Sequence, residues 1–425
     1  MTLLFVGIRQ LATCAGPPRA RRGAELRDAG LVEDAAVLVD GDRIVAAARR
    51  RDVEGARGTA LEPLLARATS IDCGGGVVTP GFVDSHTHAV FGRARYEEQE
   101  LRAAGLDYME IARRGGGIHA SVRDLRSRTE DELVALGRSR LMRLAAHGTT
   151  TVEVKSGYGL TVEDELKTLR AIRRLAAELP LRIVPTFLGA HEIPLEHRAT
   201  PTGREDYLRL LIEEMIPAVA RERLARFADV FCEPGVYTVD ESRRILEAAR
   251  AAGLGVKLHA DELRPAGGAE LAAELGAVSA DHLAAISDSG VAALAASETV
   301  ATLLPGTMLF LGKPRQAPAR ALVDAGAAVA LASDFNPGTS PTPNFPLILT
   351  LAVSQLRLSA AEALVAATVN GAAALGLADR VGQTAPGFSA DLALFDAEDI
   401  RELPYWYGDR RCRAAWVRGK PCHLS

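Results

Sequence analysis

From residue 80 onward, the sequence alternates between short runs rich in Val, Ile and Thr and longer segments in which apolar residues recur at helical spacing. The longer segments carry helix start signals, such as the pair Thr129 and Glu132, which predicts a capping box. The short runs predict eight β-strands, at residues 80–86, 149–155, 182–189, 228–233, 255–260, 278–282, 299–304 and 328–333. Eight successive β-α units favour an α/β fold of the (β/α)8 TIM barrel type over the alternative of an open, doubly wound sheet.

The two ends of the chain differ from this middle part. Strand-like runs occur near both ends, at residues 35–39, 43–46, 391–396 and 414–417. Asp40-Gly41-Asp42, between the first two runs, is a hairpin signature. We expect both ends to form one small β-sandwich-like domain beside the barrel. The predicted segments are the N-terminal part of that domain at 1–75, the barrel at 76–385 and the C-terminal part at 386–425.

The charge and cysteine content argue against several classes of protein. The net charge is −4 and no long basic run is present, so nucleic acid and membrane surfaces are poor candidate partners. The opening run, MTLLFVGIRQ, lacks a charged leader and a cleavage-like site, which predicts a first strand rather than a signal peptide. The five cysteines are odd in number and scattered without a CxxC pair, which indicates reduced thiols and a cytoplasmic location.

Two histidines stand at the end of the first predicted barrel strand, in His86-Thr87-His88. Side chains two positions apart in a strand point to the same face, so the two imidazoles converge at the mouth of the barrel. Neutral imidazole is a good ligand for zinc and iron. A single His-x-His pair is weak evidence, however, because many such pairs are accidents of the surface.

Three further predicted strands end in residues of the same chemical kind. His259 ends the fifth strand, His282 the sixth, and Asp334 follows the eighth. The C-terminal ends of all the strands of a barrel meet at one face, so these side chains join the first two histidines there. Packing of the core would require Val or Leu at such positions. The pattern therefore predicts a metal site.

The number of metal ions depends on what could bridge a pair of them. A two-metal site usually needs a bridging group, often a carbamylated lysine. Lys155, at the end of the second strand, is the only tempting candidate, since the fourth strand offers Cys232 and Glu233. We therefore expect one Zn²⁺ or Fe³⁺ per chain. Its expected ligands are three imidazole nitrogens and one carboxylate, from His86, His88, His259 and Asp334.

These positions, together with the framing run at 79–88, resemble the amidohydrolase superfamily of metal-dependent hydrolases. The small β-domain built from both chain ends is also typical of that superfamily. Longer motifs resemble, more narrowly, the imidazolonepropionase family, at residues 90–95, 111–118, 152–160, 186–191, 259–262, 279–283 and 333–339. The resemblance covers the barrel, at residues 76–385, whereas segments 15–30 and 50–68 match poorly.

The resemblance implies hydrolysis of a cyclic amide. In that reaction, water opens the ring of 4-imidazolone-5-propanoate to give N-formimidoyl-L-glutamate, a step of histidine breakdown. The propanoate tail requires a cationic partner, and Arg95 lies in the loop after the first metal ligands. By resemblance, the substrate contacts are Arg95, Tyr158, His191, Glu262, Asn336, Gly338 and Thr339. Superfamily members are often dimers, so a homodimer is a candidate assembly.

The predicted catalytic residues are Glu262, His282 and Asp334. Glu262 lies three residues past His259, so its carboxylate can lean over the metal without binding it and can carry a proton. His282 can orient the attacking water or polarise the carbonyl group. The proton role would pass to His282 or Asp334 if Glu262 only binds substrate.

Each predicted substrate contact also has a structural interpretation. Arg95 could be a surface arginine, Tyr158 could cap the barrel by packing, and His191 could be a buried histidine with its hydrogen bonds satisfied. Asn336 and Gly338 could simply shape a turn after the eighth strand.

Two other functions are compatible with the sequence. A deaminase of the same superfamily, acting on a purine or pyrimidine, would share the metal and Glu262 but would not need Arg95. A non-catalytic scaffold on the same barrel would typically lack metal ligands, which this sequence has. A metal assay followed by a turnover assay separates the scaffold from the enzymes, and a profile of substrates separates the two enzymes.

Overall fold

The structure is a computed structural model that describes residues 1–56, 58–106, 110–111 and 114–424. Residues 112 and 113, within the predicted motif at 111–118, lie outside the described residues. The described strands form two sheets of eight strands each. In chain order the strands are β1 (Thr2–Ala12), β2 (Leu31–Asp40), β3 (Arg43–Arg49), β4 (Thr69–Asp72), β5 (Val77–Pro80), β6 (Phe82–Asp84), β7 (Thr149–Lys155), β8 (Arg182–Ala190), β9 (Phe227–Cys232), β10 (Gly255–Ala260), β11 (Ser279–His282), β12 (Val300–Leu303), β13 (Val329–Leu331), β14 (Leu392–Phe395), β15 (Cys412–Val417) and β16 (Lys420–Leu424).

Helices connect the barrel strands. Thr129 accepts a hydrogen bond from the backbone N–H of Glu132, so the predicted cap is confirmed, and Thr161 accepts one from that of Asp164 at the start of the next helix. The described α-helices are Arg50–Glu54, Glu62–Arg67, Tyr96–Ala103, Ile118–Arg126, Glu130–Ala145, Val162–Glu178, Leu195–Arg198, Gly203–Arg209, Ile216–Glu222, Val239–Ala251, Gly268–Glu274, Asp288–Ala296, Pro305–Phe310, Ala319–Asp324, Phe345–Ser354, Ala360–Val365, Gly371–Ala373 and Glu402–Tyr405. One 3₁₀ turn, Gly23–Arg27, and two π-helical turns, Leu210–Met215 and Ala366–Asn370, complete the described helical segments.

The barrel consists of β6 to β13, parallel and hydrogen-bonded in the order in which they occur along the chain. All eight predicted barrel strands are present, although β6, β11, β12 and β13 are shorter than predicted. None of the described helices is both long and apolar enough to cross a bilayer.

The barrel closes between its first and last strands through residues at and just beyond their ends. Ser333 donates hydrogen bonds to the buried carboxylate of Asp84, from its backbone N–H at 3.0 Å and from Oγ at 2.5 Å. The backbone N–H of Asp334 donates to His86 O at 3.0 Å. Closure of the barrel therefore fixes the distance between the predicted ligands His86 and His88 and the predicted ligand Asp334.

The second sheet combines both ends of the chain, as predicted. Its order is β16-β15-β14-β5-β1-β2-β3, and β4 pairs with β1. The predicted hairpin is the antiparallel pair β2–β3. β5 lies between β1 and β14, so Val77–Pro80 belong to this sheet although they fall inside the predicted barrel segment. The predicted boundaries at 75/76 and 385/386 otherwise stay a prediction.

Segment 15–30, which the sequence motifs do not explain, packs against the barrel. Arg22 forms an isolated bridge with Ala328, just before β13. Asn370 accepts a hydrogen bond from the backbone N–H of Arg21 at 2.7 Å and donates to Val329 O at 2.8 Å. The segment therefore joins the N-terminal part of the small sheet to the start of the last barrel strand.

Candidate metal centre and active site

The five residues that the sequence places at strand ends lie together at the C-terminal face of the barrel. His86 and His88 follow β6, His259 lies in β10, His282 ends β11, and Asp334 follows β13. All five are buried, with at most 4% of any of them exposed. The order of the strands brings these distant parts of the chain together, as expected for a barrel.

The distances define a cluster centred on His86. Asp334 Oδ1 lies 3.7 Å from His86 Nε2 and 3.6 Å from His88 Nε2. His86, His88 and Asp334 could hold one metal ion, and so could His86, His259 and His282, because the ligand atoms of each group lie within 4.8 Å of one another. The structure thus brings the predicted ligands together and adds His282 as a neighbour. The exact ligand set stays a prediction.

The histidines have the protonation state and the free nitrogens that a metal ion needs. The Nε2 atoms of His86 and His259 are buried and have no hydrogen-bond partner among the described residues. Burial, together with nearby positive groups that include Lys155, lowers the pKa of His86 and of His282 well below the usual value. Both rings are therefore neutral near pH 7 and keep a lone pair for a metal ion. Because buried nitrogens without partners are costly, the cluster fits a bound metal.

Two carboxylates hold the opposite ring nitrogens. Asp281 Oδ2 lies 2.6 Å from His86 Nδ1, and Asp229 Oδ2 lies 3.0 Å from His259 Nδ1. The hydrogen bond of His86 Nδ1 to Asp281 keeps the proton there and leaves Nε2 as the metal-binding atom, which is the usual way of orienting histidine ligands. His259 Nδ1 lies close to Asp229 but outside hydrogen-bond geometry, so there the carboxylate acts through proximity and charge.

The sequence motifs indicate no role for these two carboxylates. Asp229 interrupts the apolar run of β9, and Asp281 directly precedes His282. A charged residue inside a buried strand was the signal that could have revealed them, because such a residue needs a partner in the interior.

Asp334 and His282 have backbone conformations that L-residues seldom adopt. Their φ angles are +51° and +78°, in the left-handed region. Thr307 Oγ1 donates a hydrogen bond to Asp334 Oδ2 at 2.5 Å, which leaves Oδ1 directed at the histidines. Burial raises the pKa of Asp334 to about 6, against the opposing effect of the Thr307 hydrogen bond. Backbone strain of this kind concentrates at functional sites.

Glu262 lies in the loop after β10, beside the cluster. Its Oε2 atom is 3.6 Å from His282 Nδ1, and 10% of its side chain is exposed. Burial and the neighbouring carboxylates of Asp334 and Glu233 raise the pKa of Glu262 well above its usual range. Asp261 anchors the loop, since its carboxylate accepts hydrogen bonds from the backbone N–H groups of Ala266, Gly267, Gly268 and Ala269. A carboxyl group that readily keeps a proton is thus held next to His282.

Arg95 is buried, with 8% of its surface exposed, so it is not a surface arginine. Its Nε atom lies 3.5 Å from Glu98 Oε1. Neither Nε nor Nη1 has a hydrogen-bond partner among the described residues. Its backbone N–H donates to Pro337 O at 3.2 Å, which ties the loop after β6 to the loop after β13. The guanidinium group therefore has donors available for an anion.

His191 and Tyr158 form a wall next to His88. The ring of His191 stacks on that of His88 with centroids 5.1 Å apart, and the ring centroid of Tyr158 is 5.9 Å from that of His88. His191 Nδ1 donates to Gly157 O at 2.9 Å. Burial lowers the pKa of His191 to about 3, so the ring is neutral. Both residues lie where a substrate of the cluster would bind, and their contact with it stays a prediction.

Asn336 organises the loop after β13. Its Oδ1 atom accepts hydrogen bonds from the backbone N–H groups of Gly338 and Thr339, at 2.8 Å and 2.7 Å. Its Nδ2 atom donates to Asp334 O and to Thr339 Oγ1, both at 2.7 Å. These bonds within the loop favour the turn-shaping interpretation of Asn336. A direct contact of Asn336, Gly338 or Thr339 with substrate stays a prediction.

Comparison with known proteins agrees with this geometry. The model of the amidohydrolase family matches residues 77–422. A protein of Symbiobacterium thermophilum named imidazolonepropionase is 51% identical over 407 residues, which cover 96% of this chain and 93% of that protein. A protein of the same name from Solibacter usitatus is 45% identical over 416 residues, which cover 98% and 97%.

Solved structures with the same fold are more distant in sequence. A triazine hydrolase variant superposes with a TM-score of 0.71 at 18% identity and covers 100% of this chain and 95% of its own. An adenosine deaminase from Xanthomonas campestris with bound zinc has a TM-score of 0.70 at 18% identity, with coverage of 99% and 93%. At these identities the likeness shows the fold alone. The family match and the relatives of nearly equal length together show that this chain belongs to the amidohydrolase family and, within it, to the imidazolonepropionases.

Proposed function

We propose that this chain hydrolyses the cyclic amide of 4-imidazolone-5-propanoate to give N-formimidoyl-L-glutamate, a step of histidine breakdown. The observation that carries the proposal is that the buried guanidinium of Arg95 belongs to a residue bonded to the loop after Asp334, next to the buried histidine–aspartate cluster. The cluster suits metal-assisted hydrolysis, and the arginine suits a substrate with a carboxylate tail. The relatives named imidazolonepropionase support the same reaction.

The proposed cofactor is one Zn²⁺ or Fe³⁺ per chain. When bound, such an ion polarises a carbonyl oxygen and lowers the pKa of a water molecule towards 7. The Nδ1 atoms of His86 and His259 already face carboxylates, so Nε2 is the atom that each ring offers. The proposed ligands are His86, His88, His259 and Asp334.

Ring opening requires removal of a proton from the attacking water and delivery of a proton to the departing ring nitrogen. Glu262 can perform both steps, because it lies beside His282 and its raised pKa lets it hold a proton. His282 is placed to orient the water or to polarise the substrate carbonyl. Asp334, close to His86 and His88, is the alternative proton acceptor.

The remaining predicted residues would hold the substrate. Arg95 would bind the propanoate carboxylate through two parallel N–H donors, a geometry that guanidinium groups favour. Tyr158 and His191 would form the wall on the His88 side. Asn336 and Thr339 would keep the loop after β13 folded under the substrate.

The proposal is tested by incubating the purified, metal-loaded protein with 4-imidazolone-5-propanoate and following its ultraviolet absorbance. We expect the absorbance to fall and N-formimidoyl-L-glutamate to form. A purine and a pyrimidine bearing an exocyclic amino group serve as the comparison, because a deaminase of the same fold would release ammonia from them instead. Turnover of those compounds, without turnover of the imidazolone, would overturn the proposal.

We also propose a cytoplasmic location, supported by five buried cysteines that are all free thiols. A homodimer remains a proposal, which sedimentation of the purified protein at several concentrations would test. The domain division at 1–75, 76–385 and 386–425 is likewise proposed, with β5 assigned to the small sheet by its pairing.

A further inference from the structure

Two lysines lie inside the barrel, among the residues that orient the histidines. Lys155 in β7 and Lys257 in β10 are both completely buried. Lysine is almost never fully buried unless it is paired, and neither residue has a role in the predicted active site. The ion-pair partners of Lys155 and Lys257 therefore indicate the role of the two lysines.

The lysines are paired with the carboxylates that hold the histidine rings. Lys155 Nζ lies 2.7 Å from Asp229 Oδ2 and 3.6 Å from Asp281 Oδ2. Lys257 Nζ lies 3.7 Å from the same oxygen of Asp281. Glu153 connects the two lysines, since its Oε2 atom is 2.9 Å from each Nζ. The pairs give a continuous path from lysine to carboxylate to histidine Nδ1.

Lys155, Lys257, Glu153, Asp229 and Asp281 together form a charged layer behind the histidines. Further hydrogen bonds fix this layer. Asp229 Oδ1 accepts from the backbone N–H of His259 at 3.1 Å, and Ser279 Oγ donates to Asp281 Oδ1 at 2.6 Å. Lys257 Nζ also donates to the backbone oxygen of Ser85, the residue before His86, at 2.9 Å. The layer therefore controls both the rings and the backbone of the predicted metal ligands.

The same layer bears on the number of metal ions. His86, Glu153 and Asp281 have ligand atoms within 4.8 Å of one another, close enough to hold a second cation. The ammonium groups of Lys155 and Lys257 already lie within 2.9–3.7 Å of those Glu153 and Asp281 oxygens. A second metal ion would have to displace a paired ammonium group from the interior.

We propose that Lys155 and Lys257 are positioning residues of the metal centre: they hold Asp229 and Asp281 against the Nδ1 atoms of His259 and His86, and they occupy the place of a second cation. The ammonium groups lie against the carboxylate oxygens that face the rings, so they fix where Asp229 and Asp281 stand and thereby which way each imidazole turns its Nε2 atom. Lys155 is thus a cation of the interior and not a carbamylated bridge. The inference rests on the proposed function, because it presupposes a metal at the histidine cluster.

The test is a Zn²⁺ titration of the metal-free protein in competition with a coloured chelator. Wild type is expected to bind one equivalent, whereas Lys155→Met and Lys257→Met should bind it 10- to 100-fold more weakly, the range known for partners behind metal ligands. Arg182→Met is the matched control, because Arg182 pairs with the buried Asp391 outside the cluster. The control should lose thermal stability but keep the wild-type zinc affinity.

If a lysine variant does not fold, the double variant Lys155→Met/Asp229→Asn replaces it. This change removes the charge of Lys155 together with that of its partner Asp229, so neither is left buried without the other. This double variant should fold and still bind Zn²⁺ at least tenfold more weakly, because an amide is a poorer acceptor for His259 Nδ1 than a carboxylate. Wild-type affinity in the folded variants would overturn the positioning role. Failure of wild type itself to bind zinc would instead count against the proposed function.

The second part of the proposal is tested by Lys155→Ala, which removes one ammonium group and opens space beside Glu153 and Asp281. We expect this variant to bind a second, weaker equivalent of Zn²⁺ that wild type does not bind. Binding of a single equivalent only, in the folded variant, would show that the ammonium group does not exclude a second ion.

Discussion

At the scale of single residues, the proposed role of Glu262 in proton transfer can be tested by one substitution. Glu262→Gln keeps the size of the side chain but cannot exchange a proton, so we expect kcat to fall by roughly a hundredfold or more. Metal content should stay near the wild-type value because Glu262 is outside the proposed ligand set, and substrate affinity should stay near it because glutamine keeps the shape of the side chain. Glu270→Gln, at a partly buried glutamate that accepts hydrogen bonds from Ser287 and Ser289 away from the cluster, is the control. Retained turnover with weakened binding in Glu262→Gln would assign Glu262 to substrate binding.

The proposed role of Arg95, which is to bind a carboxylate of the substrate, can be tested in the same way. Arg95→Lys keeps the charge but loses the planar pair of donors, so we expect kcat/KM to fall about tenfold or more, equivalent to about 1.4 kcal/mol. Arg93→Lys is the matched control, because Arg93 lies in the same loop with its side chain 56% exposed and paired with Glu97. Equal kinetics for both variants would remove the main support for a substrate with a carboxylate tail.

The sequence predicts some of these residues better than others. His86, His88, His259, His282 and Asp334 are predictable because each places a polar side chain at the end of an apolar strand, where packing would favour Val or Leu. The partners behind them are harder to predict, since a buried charge reveals its role only when its counter-charge is known. The counter-charges of Asp229 and Asp281 come from other strands, and only folding brings them within reach.

At the scale of elements, local patterns predict strands and helices but not every strand's partner. Apolar periodicity and capping residues locate the barrel strands and the starts of the helices, because these signals depend on neighbours along the chain. Val77–Pro80 has the composition of a barrel strand, yet it pairs with β1 and β14 in the small sheet. Pairing depends on residues that are distant in sequence, so this assignment required the structure.

The loop after β13 supplies a prediction at the same scale. A Cβ atom on Gly338 would overlap the guanidinium of Arg95, which is the flexible end of its side chain. Gly338→Ala should therefore displace Arg95 with little loss of thermal stability, and kcat/KM should fall about as far as in Arg95→Lys. In a double-mutant cycle, the loss of kcat/KM in the double variant should be smaller than the combined losses of Gly338→Ala and Arg95→Lys, because both changes disturb the same contact. Fully additive losses would show that Gly338 acts independently of Arg95.

At the scale of the whole molecule, contacts between the chain ends and the barrel lie beyond sequence motifs. Arg21 and Asn370 are 349 residues apart in the sequence and are joined by two hydrogen bonds. The backbone N–H of Arg21 donates to Asn370 Oδ1, and Asn370 Nδ2 donates to the backbone oxygen of Arg21. Nothing in segment 15–30 reveals this partner, because the contact depends on how both chain ends return to the barrel. The predicted metal ligands are equally distant along the chain, since they lie in β10 and directly after β6 and β13.

Metal binding should therefore stabilise the entire fold. The ligand cluster exists only when the barrel is closed, so a metal ion binds the folded state far better than the unfolded chain. It should raise the free energy of unfolding by about 2.7 kcal/mol at a free concentration of about 100 times Kd. We expect the Tm of the chelator-treated protein to rise with added Zn²⁺ and to stay constant with Mg²⁺, which prefers oxygen ligands. His259→Ala should unfold at a Tm that Zn²⁺ barely changes, because the variant lacks one nitrogen ligand. A wild-type Tm that is insensitive to both Zn²⁺ and Fe³⁺ would show that the buried histidines are satisfied without a metal ion.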